Sequence, residues 1–335
     1  MERRDCSEMF GVIMSARPRV LISRSAPPAG TDPIKAVCDV WVWPEEDPIP
    51  AEEFKKRAAG VTAIFCHPPD EINKDLLDAA GPSLKVVGTM SVGLEHIDLA
   101  ECRRRGIKVG HTPNVLNEAV AELTIALLLS AARRLKEGYA CQNGEETWEN
   151  ALYLCGYEVS GSTIGIVGLG RIGMAVATRL KSFNVAKFLY SGNSQKSYAE
   201  EVNAEFVSFD ELLECSDFII ACCSINAYNR GLFDKAAFKK MKKSAIFINV
   251  SRGVLVNHDD LIEALSSGEI YGAGLDVTEP EPLPPDSPLY SLKNCLVTPH
   301  LGSASLKSRN GMASLTARNI LAGIRDEDLP SAATY

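Results

Sequence analysis

At 335 residues the chain exceeds the usual span of one domain, so two domains are the expectation. A composition of 46% hydrophobic and 23% charged residues supplies two cores, and a net charge of −8 argues against nucleic acid or an anionic membrane as partner. The ten cysteines are scattered and form no C-x-x-C pair, which removes zinc ribbons and thioredoxin-type redox centres and leaves buried thiols of a reducing compartment.

The N-terminal stretch "MERRDCSEMFGVIMSARPRVLIS" has neither the apolar run nor the cleavage pattern of a secretory signal, and its acids oppose a mitochondrial presequence. Met14 is an alternative start. From Arg19 onward, short β-rich runs alternate with helical patterns, the signature of βα units and parallel sheets. The first series offers strands at 19–23, 61–66, 84–90 and 107–110. At Pro113-Asn114 the pattern changes. Asn117 is placed to cap a long helix, about 118–137, ended by Gly138. Its most apolar part, "AELTIALLLSAA", is too short to span a membrane and contains Glu122, so a cytoplasmic protein is expected. An irregular arm over 139–160 carries Trp148, Tyr153 and Tyr157. A second series follows, with strands near 163–168, 186–190, 217–223, 244–250, 271–277 and 295–298. The last helix, about 303–324, has too little companion chain for a core of its own and is expected to pack on the first series.

"TIGIVGLGRIGMAVATRL" is a β-branched strand, then Gly168-x-Gly170-x-x-Gly173, then a helix. In that context Gly168 permits the tight turn, Gly170 admits a pyrophosphate against the backbone, and Gly173 lets helix and strand pack closely. The helix N-terminus supplies free N–H groups. The same glycines would also serve a tight turn that binds nothing. About twenty residues on, where an acid would hold the ribose 2′-hydroxyl of NAD, stands "SGNSQK", beginning at Ser191 with Gly192 and Asn193 after it. A carboxylate there would repel a 2′-phosphate, whereas a hydroxyl, backbone N–H groups and Lys196 can accept one. NADP(H) is therefore the expected cofactor, with NAD(H) a second possibility.

Three successive strands of the second series each deliver a candidate to their carboxyl edge, where open α/β sheets bind ligands. These are Arg252 in "INVSRG", Glu281 in "DVTEPEP" and His300 in "VTPHLG". Together they suit a carbonyl substrate bearing a carboxylate: Arg252 to hold the carboxylate, His300 to give a proton to the oxygen, Glu281 to orient the imidazole. Singly, each has an ordinary alternative as a strand cap, a solvated acid or a core histidine, and Glu279 competes with Glu281. His67, His96, His111 and His258 lack metal-ligand spacing and are read as structural, with no metal.

These motifs, with "TMSVGLEHID", "GIKVGHTPNVLNEAVAEL", "FINVSRGVLVNHDDLIEAL" and "LVTPHLGSA", make the chain resemble the D-isomer-specific 2-hydroxyacid dehydrogenases from about Arg19 to Ile324, above all their glyoxylate reductase/hydroxypyruvate reductase branch. The resemblance implies two Rossmann-like, doubly wound parallel-sheet domains. The substrate domain is discontinuous, 1–115 with 304–335. The dinucleotide-binding domain covers 116–303 and includes a dimerisation helix and arm over 116–160. It implies Arg252 as carboxylate ligand, Glu281 rather than Glu279 as dyad acid, and His300 as general acid/base. Val92 and Gly93 would bind the substrate carboxylate through their backbone. Cofactor contacts would fall on Gly170, Arg171, Ile172, Ser191, Gly192, Asn193, Ser224, Val250, Asp276 and Gly302. Trp148 would reach the partner subunit's active site in a homodimer. Asn193 departs from the pattern, since NADPH-preferring relatives often carry a basic residue there. The implied reaction is reduction of hydroxypyruvate or glyoxylate to D-glycerate or glycolate. The rivals are a nucleotide-sensing, corepressor-like binding protein on the same fold, or a dehydrogenase for another D-2-hydroxy acid.

Overall fold

The computed structural model describes residues 17–140 and 152–334. These divide into two compact units, one running to Pro113 and resuming at Arg309, the other spanning Asn114–Ser308.

The first unit is built on five parallel strands: β1 (Arg19–Ile22), β2 (Asp39–Val42), β3 (Ala63–Cys66), β4 (Val86–Thr89) and β5 (Lys108–Gly110), in the order β2-β1-β3-β4-β5. β3 and β4 are buried along their whole length, so their runs are continuously apolar or small rather than alternating. The final helix, Leu306–Ile324, belongs from Arg309 on to this unit. It lies so close to the sheet that a Cβ on Gly110 would sit 2.6 Å from Asn319, and one on Gly323 2.5 Å from Val86. Buried Asn319 ties the helix to its surroundings, giving its Nδ2 to the His111 carbonyl at 3.1 Å and accepting from the Ser331 N–H at 2.9 Å.

The second unit holds seven parallel strands: β6 (Thr163–Val167), β7 (Lys187–Ser191), β8 (Ala204–Phe206), β9 (Phe218–Ala221), β10 (Ile246–Asn249), β11 (Gly272–Leu275) and β12 (Cys295–Val297). Their order, β12-β11-β10-β9-β6-β7-β8, reverses direction at β6, the switch point of a doubly wound sheet. The Rossmann-like α/β class expected from the motifs is therefore the observed one.

Two strands escape the sequence pattern. β2 and β8 are edge strands: β2 is at best half-buried and β8 spans three residues, so neither needs the apolar run that marks an inner strand. The long helix also differs from expectation. Asn117 is its first residue rather than its cap, and it ends at Ala132 instead of continuing to 137. Arg134 takes a left-handed φ of 53°, and the Tyr157 N–H occupies the Ala132 carbonyl at 3.0 Å. A separate short helix, Leu135–Ala140, then runs through Gly138. Trp148 lies outside the described residues. Among the described residues no helix is long and apolar enough to cross a membrane.

Candidate active site

The glycine loop leaves β6 as its sequence demands. Gly168 has φ 95°, and a Cβ there would lie 2.6 Å from the Cys223 backbone. A Cβ on Gly173 would lie 2.6 Å from the Gly168 carbonyl, whereas one on Gly170 would meet nothing within 4 Å. The helix Arg171–Leu180 starts directly after Gly170 with no side chain capping it. An open backbone approach and an uncapped helix N-terminus at the switch point fit a pyrophosphate. Tyr198 fastens the loop by donating its hydroxyl to the Leu169 carbonyl at 2.9 Å, and Arg171 gives its Nη1 to Asn114 Oδ1 at 2.9 Å.

At the end of β7, Ser191 is buried and its carbonyl accepts the Gly168 N–H at 2.9 Å. Gly192, Asn193 and Ser194 are exposed. The turn is closed by buried Tyr190, whose hydroxyl accepts the Lys196 N–H at 2.8 Å, and Lys196 Nζ reaches Ser194 Oγ at 2.9 Å. Exposed Ser224 follows β9, and buried Val250 follows β10.

Arg252 stands on a turn stitched by buried Asn249, which accepts the Ser251 N–H at 3.1 Å and gives its Nδ2 to the Arg252 carbonyl at 2.9 Å. The Ser251 hydroxyl donates to the Cys223 carbonyl, and Arg252 itself is half-buried with Nη1 2.8 Å from the Ser251 carbonyl. Gly253 then passes against the backbone of Thr278 and Glu279 with no room for a side chain.

After β11, Asp276 is 1% exposed, and burial pushes its carboxyl above the usual range. Three donors answer it: Thr298 Oγ1, the Leu301 N–H and the Gly302 N–H, each at 2.7 Å. These bonds, with the His300 N–H on the Asp276 carbonyl at 3.0 Å, hold the turn in which His300 has a left-handed φ of 52°. The side chain of His300 then meets Glu281, Nδ1 to Oε1, at 2.7 Å. Both groups are open to solvent. Glu279 contributes its carbonyl, which accepts Nδ1–H of His258 at 2.9 Å. Half-buried His258, whose desolvation depresses its pKa, thereby anchors the start of the segment carrying Glu281. Neither that role nor the bracing by Asp276 is visible in sequence, because the partners stand 21 to 26 residues apart.

The sequence model of the D-isomer specific 2-hydroxyacid dehydrogenase NAD binding domain matches residues 125–302. The glyoxylate reductase/hydroxypyruvate reductase of Homo sapiens is 49% identical over 93% of this chain and 97% of its own. The chain belongs to the D-isomer-specific 2-hydroxyacid dehydrogenase family. Within that family of NAD(P)-dependent oxidoreductases, the glyoxylate reductase of Thermofilum pendens is 42% identical over 94% of both chains. Among solved structures, the TT0316 protein of Thermus thermophilus aligns with a TM-score of 0.89 at 38% identity, covering 94% of this chain and all of that one. A Sinorhizobium meliloti glyoxylate/hydroxypyruvate reductase, described as NADPH-dependent and bound to NADP and malonate, aligns at 0.82 and 29% identity over 95% and 97%. A nicotinamide cofactor is thus the family's own, and the glycine loop has the shape to take it. No group of three or more potential metal ligands occurs among the described residues.

At the carboxyl edge of the first unit's sheet, Asp70 accepts from the Ser23 hydroxyl, the His67 N–H and Arg24 Nη2, the last two at 3.0 and 3.1 Å. The His67 ring is stacked on Phe65, and burial, helped by the nearby arginines, pushes its pKa down to about 3. An unfolded histidine titrates near 6.5, so between the two values the unfolded chain binds the extra proton. Stability from His67 is fully present above about 6.5 and is lost as pH falls toward 3. Unfolding free energies measured by urea titration should decline over that window by up to about 1.4 kcal/mol per pH unit from this residue. His67→Gln should flatten the decline, and equal slopes in both proteins would contradict the assignment.

Proposed function

We propose that the protein is an NADPH-preferring reductase of small 2-oxo acids, converting hydroxypyruvate to D-glycerate and glyoxylate to glycolate. The observation that carries this reading is the 2.7 Å bond between His300 Nδ1 and Glu281 Oε1, in the unit that also bears the glycine loop. The 49% identity to a human enzyme named for both substrates supports the choice of acids.

A carboxylate accepts only, so Glu281 keeps the proton on Nδ1 and leaves Nε2 as the atom that exchanges one with substrate. In the imidazolium form Nε2–H donates to the carbonyl oxygen as it becomes a hydroxyl, and Glu281 stabilises that cation. In the second unit Arg252 would hold a substrate carboxylate through its planar fork. In the first unit, taken by itself, the backbone N–H groups of Val92 and Gly93 are read as carboxylate donors. Gly168, Gly170, Arg171, Ile172 and Gly173 would hold the cofactor pyrophosphate, with Ser224, Val250 and Gly302 flanking it. When bound, the reduced dinucleotide supplies the hydride. Asp276 shapes the His300 turn with the lone pairs it has already committed, and any cofactor contact from it is additional.

The preference for NADPH rests on Ser191, Gly192 and Asn193. None is acidic, Gly192 has open space beside it, and Lys196 lies next to Ser194. A homodimer is supported by Leu135, Tyr139, Leu152 and Tyr157, which expose 56%, 75%, 78% and 44% of their surface around the segment that includes Trp148. Trp148 would then act in the partner subunit.

Purified protein should oxidise NADPH with hydroxypyruvate and glyoxylate more efficiently than NADH, read as kcat/KM from nicotinamide absorbance. Equal use of both cofactors would remove the phosphate-binding role of Ser191. Cofactor binding without turnover would instead favour a sensor. Replacing His300 by Ala should lower kcat by roughly two to four orders of magnitude, and near-normal turnover would rule out its role as acid. Light scattering should give twice the mass of one chain, against a single-chain mass if the apolar surface serves no second copy.

A further inference from the structure

The segment after β4, Ser91-Val92-Gly93-Leu94, has an arrangement of its own in the first unit. Three consecutive carbonyls are tied back: that of Ser91 accepts the Thr112 N–H at 2.8 Å, that of Val92 accepts His111 Nδ1 at 3.0 Å, and that of Gly93 accepts the Ser91 hydroxyl at 2.7 Å. In a trans peptide the N–H points opposite to the carbonyl. Anchoring these three oxygens therefore turns the N–H groups of Val92, Gly93 and Leu94 away from their anchors, and none of the three has a partner among the described residues.

The hydrogens of the anchoring chain can be assigned by elimination. A carbonyl cannot donate, so the one Ser91 hydroxyl proton lies on Gly93 O. Ser91 Oγ must then accept across its 2.8 Å contact with Thr89 Oγ1, which commits the Thr89 proton. Thr89 Oγ1 in turn accepts across its 3.0 Å contact with His96 Nε2, so His96 carries a proton on Nε2. The result is a one-way relay, His96 to Thr89 to Ser91 to Gly93 O. By the same reasoning His111 carries a proton on Nδ1. Thr89 and Ser91 are buried, so solvent cannot readily substitute for either hydroxyl.

We infer that His96, Thr89, Ser91 and His111 are positioning residues, which preset the Val92–Leu94 backbone as a donor array for the carboxylate of the 2-oxo acid. The inference rests on the reading of Val92 and Gly93 as carboxylate donors. None of the four need touch substrate. They act by fixing peptide planes before binding, which spares the loop an ordering cost when the acid arrives.

Ser91→Ala and Thr89→Val each break the relay while removing little volume. With saturating NADPH, each should raise KM for hydroxypyruvate by about tenfold, the scale of a lost buried hydrogen bond, with kcat little changed and KM for NADPH unmoved. Thr89→Ser, which keeps the hydroxyl, should restore KM. His96→Leu, at a half-buried position, repeats the test without altering β4, and thermal unfolding of each variant identifies any that fails to fold. An unchanged KM for the acid in Ser91→Ala and His96→Leu overturns the inference. So does an equal rise in KM for acid and NADPH, which would mark general loosening. If the wild-type protein reduces no 2-oxo acid, the reductase reading fails separately. Affinity for oxalate, measured by titration calorimetry on the NADP-bound protein, then decides the relay by the same tenfold criterion.

Discussion

A carboxylate removed from water must be answered by donors or give up its charge, and Asp276 is answered three times. Its donors come from the turn that follows the next strand in the chain, so the same bonds that solvate the acid also bend residues 298–302 into one shape. That shape includes the left-handed backbone at His300, which places its ring against Glu281. Burial raises the Asp276 pKa and the three bonds oppose the rise. The carboxylate is thus a structural centre whose cost is offset locally. The imidazole–carboxylate pair is its visible product.

The same device recurs at other strand ends. Buried Asn249 shapes the turn presenting Arg252, and Tyr190 shapes the turn after Ser191. In the other unit, Asp70 gathers Ser23, His67 and Arg24. Parallel sheets put every carboxyl end on one edge, and each such end leaves backbone groups that no ladder satisfies. Polar side chains near the strand ends satisfy them. The residues read as chemically active are then held out on turns that have little freedom left.

What the sequence disclosed follows from the range of the interactions involved. The strand, Gly168-x-Gly170-x-x-Gly173 and the helix after it are all local. So is the appearance of Arg252, Glu281 and His300 just beyond apolar runs. The inner strands were legible for the same reason. β2 and β8 were not, because neither has a fully buried residue to impose a pattern, whereas the edge strands β5 and β12 each keep one or more. The break at Arg133-Arg134 was hidden because it is closed by Tyr157, which arrives from two dozen residues away. His258, His96 and His111 offered no spacing to read as ligands. Their bonds run to backbone carbonyls and a threonine hydroxyl, partners that leave no trace in a sequence. The choice of Glu281 over Glu279 needed either a family pattern or coordinates, since the two acids sit in the same proline-rich turn.

The close seat of the last helix on β4 and β5 has a consequence for how the chain is made. Residues from Arg309 on complete a unit whose other part lies before Pro113, and the segment near Ala332 bridges back to Gly110. On the ribosome, the first five strands emerge long before the helix that covers them. For the whole synthesis of the second unit, their small-residue face at Gly88 and Gly110 waits uncovered. The second unit is contiguous in sequence. The first unit is therefore begun before the second and can be completed only after the second has been made.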